Sequence, residues 1–174
     1  MSVRTARSAV RITAHRGGAG WADRRRGSQL VETSLIMLPL LALMFLALDA
    51  AWGAFVKATL EHAAREGVRY AVTGQTSGGL GQVASIEAVV KDRALGLLNG
   101  NQASTLSVQF LDATTLQTAT ADPVNQGGNL VQVSITNYQL SPLAPLLRSS
   151  NALTINITAA DQLEPSPGGV PPAL

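Results

Sequence analysis

Three arginines, Arg24-Arg25-Arg26, run into Gly27 and Ser28, and one carboxylate, Glu32, follows before the chain turns apolar. Two kinds of chemistry suit that spacing. Gly27 followed by Ser28-Gln29-Leu30-Val31-Glu32 has the form of a basic leader cut just before an apolar run that then begins the mature chain. Cleavage after Gly27 would free an amine at Ser28, a positive charge close to Glu32. A carboxylate in a low-dielectric setting attracts such an amine more strongly than it does in water, so Glu32 could pair with the amine of a neighbouring subunit. Left unpaired, it would oppose misaligned docking. The simpler alternative is a flanking charge at a membrane surface, where an acid costs far less than the ~2.5–3.5 kcal/mol of mid-bilayer.

Little else in the chain could do chemistry. His15 precedes Gly27, and His62, beside Glu61 on a helix, reads as a surface residue. There is no cysteine, which excludes a disulfide framework and a thiolate metal site. The serines and threonines have no histidine partner after Gly27 except His62, so a Ser-His-Asp triad has little support. Asp112 and Asp122 lack the spacing of a Ca²⁺ loop, and GQTSGGLGQ lacks the Gly-Lys-Ser/Thr of a phosphate-binding loop. Asn156-Ile157-Thr158 fits a glycosylation sequon but falls inside a predicted strand. No catalytic residue, cofactor or metal is expected, and the chain does not read as an enzyme.

The elements around Gly27 and Glu32 decide what these residues can do. The 174-residue chain carries a formal charge of +2, but seven of its 13 basic residues lie before Gly27. From Ser28 onward, 6 basic residues face 10 acidic ones, so nothing there resembles a groove for nucleic acid. A basic segment just before an apolar run holds that end in the cytoplasm. From Leu35 to Val56 the chain is apolar with one charge, Asp49. As a helix rising about 1.5 Å per residue it is long enough for a hydrocarbon core of roughly 30 Å. Pro39 is tolerated there as a kink. Asp49 reads either as snorkelling to the far interface or as facing a partner in a helix bundle.

Arginines before an apolar run also occur in secretory signals and transit peptides. Here the best signal-type site after the run is Ala51-Trp52-Gly53, which is poor. The stretch MSVRTARSAVRITAHRGG does read as a transit peptide, but that leaves Glu32 unexplained.

A glycine with a glutamate at the fifth position after it, opening an apolar helix, is similar to the prepilin-peptidase site of type IV pilin-like proteins. The longer string from Gly27 to Ala71 resembles the N-terminal region of the TadE-like family, minor pseudopilins of the tight-adherence (Flp) pilus. Three elements carry the resemblance: Gly27 with Glu32, Leu38-Pro39-Leu40, and Ala63-Ala64-Arg65-Glu66-Gly67-Val68-Arg69. It implies a prepilin peptidase as processing partner. It also implies the major Flp pilin, a second minor pseudopilin and the inner-membrane platform as assembly partners.

Beyond the span, the helix is expected to run to residue 73, completing a segment of 28–73. Val56, Leu60, Ala63, Ala64, Gly67 and Ala71 make one narrow face on it. That face could pack on the protein's own domain or on another pilin-like helix. Glu61 and Arg65 stand in the favourable order for a surface pair. Residues 74–163 are expected to form a small extracytoplasmic domain. In it, a second helix over about 83–98 carries Ile86, Val89, Val90, Ala94 and Leu97 on one stripe and is stopped by Asn99-Gly100-Asn101. Three alternating runs follow, with Leu106/Val108/Phe110, Val131/Val133/Ile135 and Leu153/Ile155/Ile157 as apolar sets. The connection 112–129 reads as an exposed loop and the tail 164–174 as disordered.

The expected fold is therefore α+β: a long transmembrane helix continuing into a small pilin-like domain with a second helix and a three-stranded antiparallel sheet. The expected function is that of a single-pass inner-membrane structural subunit in pilus assembly, cut at Gly27–Ser28. The alternative is a membrane protein with an uncut signal anchor and an extracytoplasmic ligand- or partner-binding domain.

Overall fold

Leucine, alanine and methionine dominate residues 35–51, and these are strong helix formers. The first element, α1, spans Ala19–Val72. A computed structural model describes residues 19–99, 104–120, 122–142, 153–166 and 169–174, with the backbone alone over 19–26. The earlier part of the leader, the Arg24–Arg26 side chains and Gly100-Asn101 thus lie outside what can be described. The helix begins ahead of the expected Ser28, so the Gly27–Ser28 bond sits within helical backbone. Pro39 contributes no N–H to the ladder, and the helix continues past it. Gly74 follows α1 with φ +63° and donates its N–H to Ala71 O at 3.0 Å, a left-handed cap that suits glycine.

By contacts the chain divides into two compact units, residues 1–43 and 44–174. In the first unit every residue from Gly27 to Leu43 is exposed. Together with the following turns, this stretch is long and apolar enough to cross a membrane, and its apolar window is 0% buried.

The second unit holds the rest of α1, a helix α2 (Gln82–Arg93) and strands β1 (Thr105–Leu111), β2 (Leu130–Leu140) and β3 (Leu153–Gln162). The strands form one antiparallel sheet in the order β1-β2-β3. Register places Leu106, Ile135 and Ile157 in one row and Val108, Val133 and Ala159 in the next. These rows face the core, where they meet Val56, Leu60, Ala63 and Ala64 of α1 and Ile86 and Val90 of α2. On the opposite face the rows are Ser107, Ser134 and Thr158, then Gln109, Gln132 and Ala160. This alternation is what an antiparallel sheet with one buried face requires.

Strand β2 breaks the period-two pattern and is repaired by a bulge. Its register with β3 shifts between Ile135 and Tyr138, and Asn137 takes φ 58° there. One extra residue returns Tyr138 and Leu140 to the buried side, at 6% and 8% exposure. The Asn156 side chain accepts the Asn137 N–H at 2.8 Å, so this sequon residue helps to hold the bulge.

Helix α2 stops earlier than its apolar stripe suggests. Leu95 and Gly96 adopt φ 51° and 79°, which ends the helix at Arg93 and leaves residues 94–99 as turns. Its N-terminus has no side-chain cap. Part of that role is taken by the chain's end, because the Gln82 N–H donates to Ala173 O at 2.7 Å.

Neither the 112–129 connection nor the tail is wholly free. Asn125 is 4% exposed and donates from Nδ2 to Gln82 Oε1 and to Pro172 O, both at 2.7 Å. Gln82, 1% exposed, donates in turn to Ala71 O at 3.2 Å. This buried amide pair ties loop, tail, α2 and the end of α1 together. Composition concealed it, since both residues look like surface polar residues in sequence. Asn125→Ala would leave Gln82 Oε1 and Pro172 O without their donor. We expect a loss of about 1–3 kcal/mol, measured by urea unfolding of the full chain in detergent, while Thr120→Ala at an exposed position should change little.

Candidate functional site

A glycine inside a helix is normally explained by something it touches or by a conformation only it adopts. Gly27 offers neither. It is exposed, lies within α1, and a Cβ built on it meets no described atom within 4 Å. Replacing alanine by glycine in a helix costs about 1 kcal/mol, so the fold would be better served by another residue. Among the described residues, none gives the fold a reason for glycine here. Ser28 and Glu32 are exposed on the same helix, and among the described residues no ion pair involves Glu32. One turn of helix holds Ser28 and Glu32 close enough for a new amine at Ser28 to sense the carboxylate. Pro39 lies further along the exposed apolar stretch.

The segment Ala63–Arg69 separates into a packing half and a surface half. Ala63 and Ala64 are 0% exposed, and Gly67 is buried against α2. A Cβ on Gly67 would come within 2.4 Å of Val90 Cγ2 and 3.6 Å of Ile86 Cγ2. The small residues here therefore permit close approach of α2, and the narrow Ala/Gly face is filled by the protein's own domain. That outcome decides between its two uses: these positions have no room left for a second pilin-like helix.

Arg65, Glu66 and Arg69 lie on the other side. Arg65 pairs with Glu61 at 3.3 Å, as the spacing suggested, and Arg69 lies 3.8 Å from Glu66. Lys57, Glu61 and Arg65 border a shallow recess with Asn156–Ala159 of β3. Pairs this exposed contribute little to stability. Their charges remain available to a partner.

Asp49 belongs to the second unit. It is half-buried, and its helix stripe continues through Gly53, Val56 and Leu60. Gly53 lies against Leu140, 3.1 Å from a built Cβ, so this stripe faces the domain. Asp49 is placed towards its own chain.

His62 is exposed, as expected, and lines a second recess. Among the described residues no group of His, Asp or Glu could hold a metal ion. Asp112 organises the turn after β1 by accepting the backbone N–H groups of Thr114 at 2.8 Å and Thr115 at 2.9 Å. The Thr114 hydroxyl also donates to it, and that bond first, with the two backbone ones, holds its carboxyl below the usual carboxylate range, at about 2. That is turn chemistry.

Compared with known families, residues 27–69 match the family model described as TadE-like protein. This agrees with the resemblance carried by Gly27, Glu32, Pro39 and Ala63–Arg69, and the family is associated with the tight-adherence pilus. No curated protein and no solved structure gives a match.

Proposed function

We propose that this chain, TadE-like over residues 27–69, is a minor pseudopilin-like subunit that takes part in assembling a tight-adherence pilus. A prepilin peptidase cuts it at Gly27–Ser28. The basic leader stays on the cytoplasmic side, α1 anchors the subunit in the inner membrane, and the α+β domain lies outside. The subunit is a substrate of processing and a structural component, without catalytic activity of its own. Its partners are other pilin-like subunits, the major Flp pilin and a second minor pseudopilin among them, and the inner-membrane platform.

The observation that carries this reading is the unexplained glycine. Gly27 has open space around it and lies between a basic leader and an apolar helix that bears one early carboxylate. A peptidase that must seat this position in a tight subsite accounts for a residue that the fold does not need. Gly27→Leu tests it. The fold has room for leucine, so the variant should insert normally and accumulate uncut, read by immunoblot of the membrane fraction beside the wild type. Cleavage of the leucine variant at the wild-type rate would contradict the proposal, and a wild type that itself stays uncut would favour the uncut signal anchor.

A further inference from the structure

The turn after α2 presents an apolar surface that the domain core does not use. Leu95 is 71% exposed, although it is a large aliphatic residue, and it is held at φ 51°. It shares a recess with Phe55, Ala58, Thr59 and His62 of α1 and with Asp92 and Arg93 of α2. Phe55 is itself 49% exposed and stacks on Trp52 with ring centroids 5.6 Å apart.

Position along α1 identifies what covers this surface. Met44, Phe45, Leu46 and Leu48 are exposed, Trp52 and Phe55 follow, and Lys57 is the first cation after the apolar run. Aromatic residues followed by a cation mark the level where hydrocarbon gives way to headgroups. Leu95 lies beside Phe55 at that level, with Arg93 next to it. We infer that the Leu95 turn is a second membrane contact: it dips into the headgroup boundary of the bilayer beside α1. The contact rests on the reading of α1 as a membrane span. Its occupant is phospholipid, since the surface continues the helix face already exposed to hydrocarbon. In this arrangement the domain meets the bilayer surface through the Leu95 turn as well as through α1. It is held at a fixed height and orientation on the membrane before assembly.

The chain has no cysteine, so single labels are unambiguous. Leu95→Cys, Leu116→Cys and Leu41→Cys would each be labelled with an environment-sensitive fluorophore in the full chain. Each would be reconstituted at one copy per nanodisc, with nitroxide-bearing phospholipids as quenchers. Leu116 is a matched control, because it is 62% exposed and also has positive φ, at 56°. It lies in the turn after the opposite end of β1, where Leu111 bridges Thr118.

The expected result is strong quenching at 41 by deep nitroxides, strong quenching at 95 by shallow ones, and several-fold weaker quenching at 116. Quenching at 41 with 95 no more quenched than 116 would overturn the contact and leave the span intact. Equal quenching at 95 and 116 would also overturn it. Absence of quenching at 41 would overturn the span itself, and the contact with it. Shielding of 95 only in assembled fibres would assign the surface to a neighbouring subunit instead.

Discussion

Gly67→Leu should unfold the α+β domain while leaving insertion of α1 unchanged. Even a single carbon at this position would sit 2.4 Å from Val90 Cγ2, inside any real contact distance, and leucine adds three more. Overpacking of a filled core costs about 1–3 kcal/mol for modest enlargements, and a domain of ordinary stability has roughly 5–15 kcal/mol in hand. Alanine gives a sharper test because two effects compete. Exchanging glycine for alanine in a helix gains about 1 kcal/mol, whereas the clash with Val90 opposes it. We expect Gly67→Ala to be destabilising by about 1 kcal/mol or more in the wild type and stabilising in a Val90→Ala background. The urea midpoints of the four proteins measure this sign reversal. A stabilising alanine in both backgrounds would mean that α2 does not approach α1 as described.

The second large effect concerns Glu32. Glu32→Gln keeps the size and helix propensity of the side chain and removes its charge. Membrane insertion should proceed, but incorporation into the assembly should fail. Removing one member of a buried, hydrogen-bonded charge pair costs about 2–5 kcal/mol, so a fall of at least roughly thirtyfold is expected. Crosslinking of the variant to neighbouring subunits, quantified against wild type at equal membrane abundance, gives the ratio. Glu32→Asp should retain part of the function. A glutamine variant that assembles normally would reduce Glu32 to a flanking charge.

Much of this was legible in the sequence because periodicity reports burial directly. The apolar run ending at Val56 declares a helix, and Val131, Val133 and Ile135 declare a strand with one buried face. The Ala/Gly stripe was equally plain, but a stripe says only that something packs closely, and it took the placement of Val90 against Gly67 to show what. The misses have a common cause. Asn125 donates to Gln82 across 43 positions of sequence, and a polar residue has no local signal that distinguishes burial from exposure. The β2 bulge depends on Asn156, from another strand. Leu95 at positive φ ends α2 against its own hydrophobic pattern. For Gly27 the structure added the fact that no contact among the described residues explains it.

The most direct test of the account is the mature N-terminus. Intact mass and N-terminal sequencing of the protein from its native membrane fraction should find a chain that begins at Ser28, with the arginine-rich leader gone. A chain that retains Arg24–Arg26, or one that begins after Gly53, would contradict processing at Gly27–Ser28 and remove the basis for an assembly function of Glu32.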